Sequence, residues 1–190
     1  LVELYSDGSG TASGPGGYGV VLRYGELEKE LSGFEPAATS QRMELIAAIR
    51  GLQALNSPRT VRVFSDSQYL VRGMNEWIHG WSRSGRLETP DALANQDLWQ
   101  QLAAQAEKHR ISWQWVRGHT GHPFNERCDR LAKRAVVKGM RSAAAVDQVE
   151  EVLELQQTIP ILIPPVLQTP VPAWEDGEFA AEEDGQLRLC

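Results

Sequence analysis

Residues 1–34, LVELYSDGSGTASGPGGYGVVLRYGELEKELSGF, decide the fold. Leu1–Asp7 has the apolar/polar alternation of a half-buried strand and ends in Asp7-Gly8-Ser9-Gly10, a turn signal. The glycine-rich run Ser13-Gly14-Pro15-Gly16-Gly17 leads into a second strand, Tyr18–Tyr24. Gly25 and Glu26 make a tight turn into a third, Leu27–Phe34. Three strands on short connections predict an antiparallel meander.

Downstream the period changes. Leu45, Ile49, Leu52 and Leu55 recur at helical spacing from Ser40 onward, Thr39 or Ser40 is placed to cap the start, and Pro58 is expected to close the helix. Val61, Val63 and Phe64 make a fourth strand that ends in Ser65-Asp66-Ser67. A helix is expected over Gln68–Trp77, a loop over Gly80–Asn95, and a helix over Gln96–Lys108 through Leu98, Leu102 and Ala106. Ile111–Val116 reads as the last strand and Gly118–Pro123 as a polar loop. A final helix from Asn125 sets Cys128, Leu131, Ala132, Ala135 and Val136 on one face. Hairpins followed by crossover helices predict an α/β domain, a five-stranded mixed sheet flanked by helices.

The chain has 190 residues, room for one domain and an appendage. Its 42% hydrophobic content and mean hydropathy of -0.36 fit a soluble protein, and no apolar run approaches the roughly 20 residues of a membrane helix. Two cysteines, Cys128 and Cys190, and no secretion signal in Leu1–Gly10 point to a reducing cytoplasm. The net charge of -6 divides unevenly: residues 1–140 hold 17 Lys+Arg against 15 Asp+Glu, and residues 141–190 hold 2 against 10. The first part can therefore meet phosphate. Beyond Gly139, Ser142–Gln157 reads as a short acidic helix. Ile159–Pro172, with five prolines, cannot be a helix or a central strand, and Trp174–Gly185 is acidic. The expected organisation is a domain over 1–140 and an acidic, Pro-rich extension over 141–190, in a monomer whose extension binds another protein or the domain itself.

Asp7 and Asp66 each follow an apolar strand inside a Ser-Asp-Gly or Ser-Asp-Ser turn. If the two strands are parallel neighbours joined through the intervening helix, their ends lie about 5 Å apart, and the two carboxylates meet at the C-terminal edge of the sheet. The plainer possibility is that each aspartate caps the next turn or helix. Glu44 and Asp129 sit at the borders of apolar helix faces, where a solvated acid is the ordinary reading, and Asp129 has Lys133 at i+4.

Four segments carry a resemblance: Tyr-Ser-Asp-Gly-Ser at 5–9, Gln-Arg-Met-Glu-Leu at 41–45, Phe-Ser-Asp-Ser-Gln-Tyr at 64–69, and Trp-Val-Arg-Gly-His-Thr-Gly-His-Pro-Phe-Asn-Glu-Arg-Cys-Asp at 115–129. In order and spacing they resemble the signature segments of bacterial type 1 ribonuclease H, over roughly residues 1–140. The resemblance implies a ribonuclease H-like fold and an endonuclease that hydrolyses the RNA strand of RNA–DNA hybrids, leaving 5′-phosphate and 3′-hydroxyl ends. It places the family's four acids on Asp7, Glu44, Asp66 and Asp129, holding two Mg²⁺ ions, with Mn²⁺ as a substitute. An all-oxygen ligand set suits hard Mg²⁺, and two ions about 4 Å apart can activate water and steady the leaving oxygen.

By the same resemblance His119 matches a mobile histidine of proton transfer or product release, while His122 reads as a solvated loop histidine. Gly8, Ser9 and Gln68, with Glu44, would face the RNA; Thr39, Gln41 and Arg42 the DNA strand and its phosphate; Trp77 the DNA sugars. Trp77 and Trp81 are also core candidates. Two departures stand out. Ser13 replaces the family's usual Asn in a loop one residue short, and the Trp81–Asn95 loop, counterpart of a basic protrusion, has Arg83 and Arg86 against Glu88 and Asp91. Two alternatives remain: the ribonuclease H domain of a reverse transcriptase, and a hybrid-binding module without catalysis.

Overall fold

The structure, a computed structural model, describes residues 1–12, 14–118 and 120–158, with 145–158 as helix backbone only. The expectations for Ser13, for His119 and for the extension beyond Thr158 lie outside the described residues.

The meander forms as read. β1 (Val2–Ser9), β2 (Gly16–Tyr24) and β3 (Leu27–Glu35) pair antiparallel in chain order. α1 (Ser40–Gln53) then carries the chain across one face so that β4 (Thr60–Ser65) returns parallel to β1, and β5 (Arg110–Trp115) adds parallel to β4. The sheet order is β3-β2-β1-β4-β5. Thr39 caps α1, its hydroxyl accepting from the Arg42 amide at 3.3 Å. The helix stops at Gln53, short of Pro58, because Ala54–Ser57 already turn toward β4.

Two helical expectations are corrected. The helix begun at Gln68 does not end at Trp77: α2 (Gln68–Arg72), a π-helical turn (Gly73–Trp77) and α3 (Ile78–Arg83) follow one another directly. Gly80 stays helical because burial of Ile78 and contact of Trp81 with Trp99, ring centres 5.4 Å apart, hold that turn down. After α4 (Gln96–Ala106) and β5, the last helix, α5 (Pro123–Thr158), starts before Asn125 and passes Gly139 without a break. The acidic stretch after Ser142 is thus the far part of α5, not a separate helix. Gly139 is a packing feature, since a Cβ there would lie 2.1 Å from the Phe34 ring.

The period of two along the strands divides the core. Leu4, Val20, Leu22, Val61 and Val63 face α1, α2 and α4, where Leu45, Leu52, Leu70, Trp99 and Leu102 close the main core. Tyr5 and Val21 face α5 and meet Cys128, with Phe64, Phe124 and Leu131 at the margin. The carboxylates come together where both cores end, at the C-terminal edge of β1 and β4.

Candidate metal centre and active site

Tyr5 pairs with Phe64 across the parallel β1–β4 ladder, so two residues on Asp7 and Asp66 hold equivalent places. Asp7 is still inside β1, paired with Gly19 of β2, and is 9% exposed; Asp66 lies just past β4 and is half-buried. Ser67, not Asp66, caps α2, accepting from the Leu70 amide at 3.1 Å. The capping role that either aspartate might have had is therefore filled or absent.

Burial is the chief reason the Asp7 carboxyl is pushed up to about 7, and the neighbouring Asp66 charge is the next. The Gly8 amide, donating to Asp7 Oδ1 at 2.7 Å, pulls the other way, and Asp129 and Glu44 add to the rise. Folding thus concentrates three acids around one buried carboxylate. Glu44 is likewise raised, first by burial and then by Asp66, against the Ser67 hydroxyl that donates to Glu44 Oε2 at 2.5 Å. Asp129, on the first turns of α5, accepts from Lys133 Nζ at 2.7 Å, the i,i+4 pair read from the sequence.

Asp66 is held from behind. The Trp115 indole N–H donates to its carbonyl at 2.9 Å, and the Val116 amide donates to Ser65 O at 3.0 Å. Gly118 lies so close that a Cβ would stand 2.3 Å from Asp66 Oδ2. Ser67, Trp115 and Gly118 are support that the sequence reading missed. Ser67 could have been found from Ser-Asp-Ser before a helix, but the other two act only through tertiary contact.

Among the described residues, no three His, Cys, Asp or Glu side chains already converge as a metal's ligands. Glu44 is turned to Ser67 and Asp129 to Lys133. The donor set still fits a hard divalent cation: every nearby acid is a carboxylate, and the mutual repulsion that lifts Asp7 is what such a cation removes.

The expected substrate contacts divide into two groups. Gln41 and Gln68 are exposed, and Gly8 and Ser9 end β1 beside the carboxylates. Thr39 is engaged as the α1 cap. Arg42 is gripped by Asp97 at 2.7 and 3.0 Å, with Asn95 Oδ1 at 3.3 Å. Trp77 is half-buried between Tyr69 and Trp81, with the Arg72 guanidinium 5.3 Å from its ring centre. In the 81–95 loop region Arg83 bonds the His79 carbonyl and Arg86 the Ala92 carbonyl. His122 is not a solvated loop residue: it is half-buried, its ring packed 5.3 Å from that of Tyr5 and 6.0 Å from that of Phe64 at the margin of the small core.

Comparison with known proteins adds an independent line. The family model described as RNase H matches residues 1–137. A protein of Syntrophotalea carbinolica named ribonuclease H is 51% identical over 144 residues, 75% of this chain and 95% of that protein. One of Halorhodospira halophila with the same name is 51% identical over 138 residues, covering 72% and 93%. Among solved structures, LC9-RNase H1, a type 1 enzyme with the type 2 active-site motif, matches at a TM-score of 0.66 and 33% identity over 73% of this chain and 72% of that one. LC11-RNase H1, solved in complex with an RNA/DNA hybrid, shares the fold at 20% identity and a TM-score of 0.56, over 74% of this chain and 99% of that one.

Proposed function

The chain belongs to the ribonuclease H family, and we propose that its domain over residues 1–140 hydrolyses the RNA strand of RNA–DNA hybrids with two bound Mg²⁺ ions, leaving 5′-phosphate and 3′-hydroxyl ends. The observation that carries this reading is the parallel register that sets Asp7 beside Asp66, with Glu44 and Asp129 close enough to raise Asp7. Those four residues would hold the metal, for which Mn²⁺ is a substitute. When bound, it supplies Lewis-acid activation of water and neutralises charge on the scissile phosphate.

The chain's own groups do the rest. Ser67 orients Glu44, and Trp115 and Gly118 fix the backbone and carboxylate of Asp66. Gly8, Ser9 and Gln68 meet the RNA strand, where 2′-hydroxyls distinguish it from DNA. Thr39, Gln41 and Arg42 meet the DNA strand, Arg42 with its fork already oriented by Asp97. Trp77 offers the exposed part of its ring to the deoxyribose side, and His119 is the candidate to pass a proton or to release product. A monomer working in the cytoplasm is in keeping with this reading; among the described residues no helix is long and apolar enough to cross a membrane.

The test is to incubate the full chain with end-labelled hybrid, RNA duplex and DNA duplex, with and without Mg²⁺. Cutting of the hybrid's RNA strand alone, only with metal, is expected. Metal-independent cutting or equal cutting of all three contradicts the reading.

A further inference from the structure

The solvent side of α5 collects positive charge. Arg130, Lys133, Arg134, Lys138 and Arg141 recur at three- and four-residue spacing and share a face. It lies opposite the face that Cys128, Ala132 and Ala135 bury against the sheet. Among the described residues only Lys133 of these five is in an ion pair, with Asp129. Lys133, Arg134, Val137, Lys138, Arg141 and Ser142 line an open groove of about 590 Å³. Val137 and Met140 beside it are 51% and 52% exposed, so the surface offers apolar anchors as well as charge. Arg42 and Arg127, by contrast, are already held in ion pairs, by Asp97 and by Glu28 and Glu30.

The chain itself contains a segment of complementary chemistry. Residues 174–184, WEDGEFAAEED, hold six acids, no base and two aromatics, Trp174 and Phe179. We infer that this segment docks along the basic face of α5, with its carboxylates on Arg130, Lys133, Arg134, Lys138 and Arg141 and its aromatics over Val137 and Met140.

Chain length allows it. Seventeen residues separate Arg141 from Thr158 at the end of α5, about 25 Å of helix. The fifteen residues 159–173 include all five prolines of the spacer, and such a linker spans up to about 45 Å at about 3.1 Å per residue. That covers the return to Arg141 with length left for the turn. Single surface ion pairs are weak, but a tether holds the segment at an effective concentration near about 1 mM. This gives it the advantage over a free polyanion such as a nucleic-acid backbone, the other occupant the charge would suit.

The four lysines make the inference testable in the full chain. Zero-length carbodiimide coupling joins a carboxylate only to an amine in contact with it, and the lysines are Lys29, Lys108, Lys133 and Lys138. At low salt and dilute protein, mass spectrometry should find intrachain links from the 175–184 carboxylates to Lys133 and Lys138 at least tenfold above those to Lys29 and Lys108. In about 1 M NaCl, where the Debye length is about 3 Å, these links should fall at least fivefold. An R134E/K138E variant with an unchanged circular-dichroism spectrum should lose the Lys133–tail links by a similar factor. Links spread evenly over the four lysines, no tail links, or links indifferent to the double variant overturn the inference. So does protection of Lys133 and Lys138 from acetylation by added hybrid with no tail links in its absence, which assigns the surface to nucleic acid.

Discussion

The four acids are held in two different ways. Asp7 and Asp66 belong to neighbouring parallel strands, and their separation is set by a ladder whose register cannot slip without turning Tyr5 and Phe64 to the wrong face. Glu44 and Asp129 ride on helices on opposite sides of the sheet, and each rests on a local partner, Ser67 or Lys133. The sheet pair is fixed by the ladder, and electrostatic strain falls on one member of each pair: Asp7 is raised by burial and by Asp66, and Glu44 by the same two causes. The helix pair is held through side-chain partners instead, and Glu44 has one methylene more of reach than the aspartates. A centre built this way has a fixed reference edge and two side chains that can close on a cation, so damage should be most severe at the strands and mildest at the helix partners.

The largest effect is expected for Asp7→Asn, which should lower hybrid cleavage by about 10³-fold or more, since it removes a proposed ligand and its charge. The same change should stabilise the metal-free protein. A carboxyl raised in the folded state favours folding at low pH, and that contribution is lost as pH rises from the unfolded value near 4 through about 7. In EDTA the variant should melt like the parent near pH 4 and be more stable at pH 8, by at most about 4 kcal/mol. A parent whose stability does not fall relative to the variant across that window would remove the strain from Asp7.

Next is Gly118→Ala. The added methyl meets the carboxylate end of the Asp66 side chain rather than backbone, so denaturant melts should change little while kcat/KM drops about 10²-fold through displacement of the carboxylate. Equal losses of stability and activity would make Gly118 a folding residue instead. Ser67→Ala removes both the α2 cap and the donor to Glu44, and should cost about 1 kcal/mol in urea melts and about tenfold in turnover. Lys133→Ala should be the smallest, within about twofold in activity and about 0.5 kcal/mol in stability. A larger loss there would mean that the helix pair is as constrained as the strand pair.

Much of this architecture could be read in the chain beforehand, for reasons tied to particular residues. Strand alternation around Leu4 and Val63, a cap at Thr39 or Ser40 and the i,i+4 placement of Lys133 after Asp129 are local signals, and the structure has the strands, the cap at Thr39 and the ion pair. The meeting of Asp7 with Asp66 needed one inference, that β1 and β4 are parallel neighbours, and it holds. What escaped was set by tertiary contact. Gly80 and Gly139 read as breaks in helices, but Trp81–Trp99 packing holds one and the Phe34 ring explains the other. The Arg42–Asp97 grip spans 55 residues, and the folding of His122 onto Tyr5 has no periodicity to announce it. Trp115 gave no sign of serving Asp66, since an indole N–H finds its acceptor only in the fold.

The most direct measurement of the central claim is single-turnover cleavage of an RNA–DNA hybrid by the Asp66→Asn variant over a Mg²⁺ titration, with hybrid affinity measured on the same preparation. The account predicts affinity within about threefold of the parent, an unchanged circular-dichroism spectrum, and cleavage lowered about 10³-fold or more at every Mg²⁺ concentration. Near-parental cleavage by that variant would contradict it, and would take Asp66 out of the metal centre.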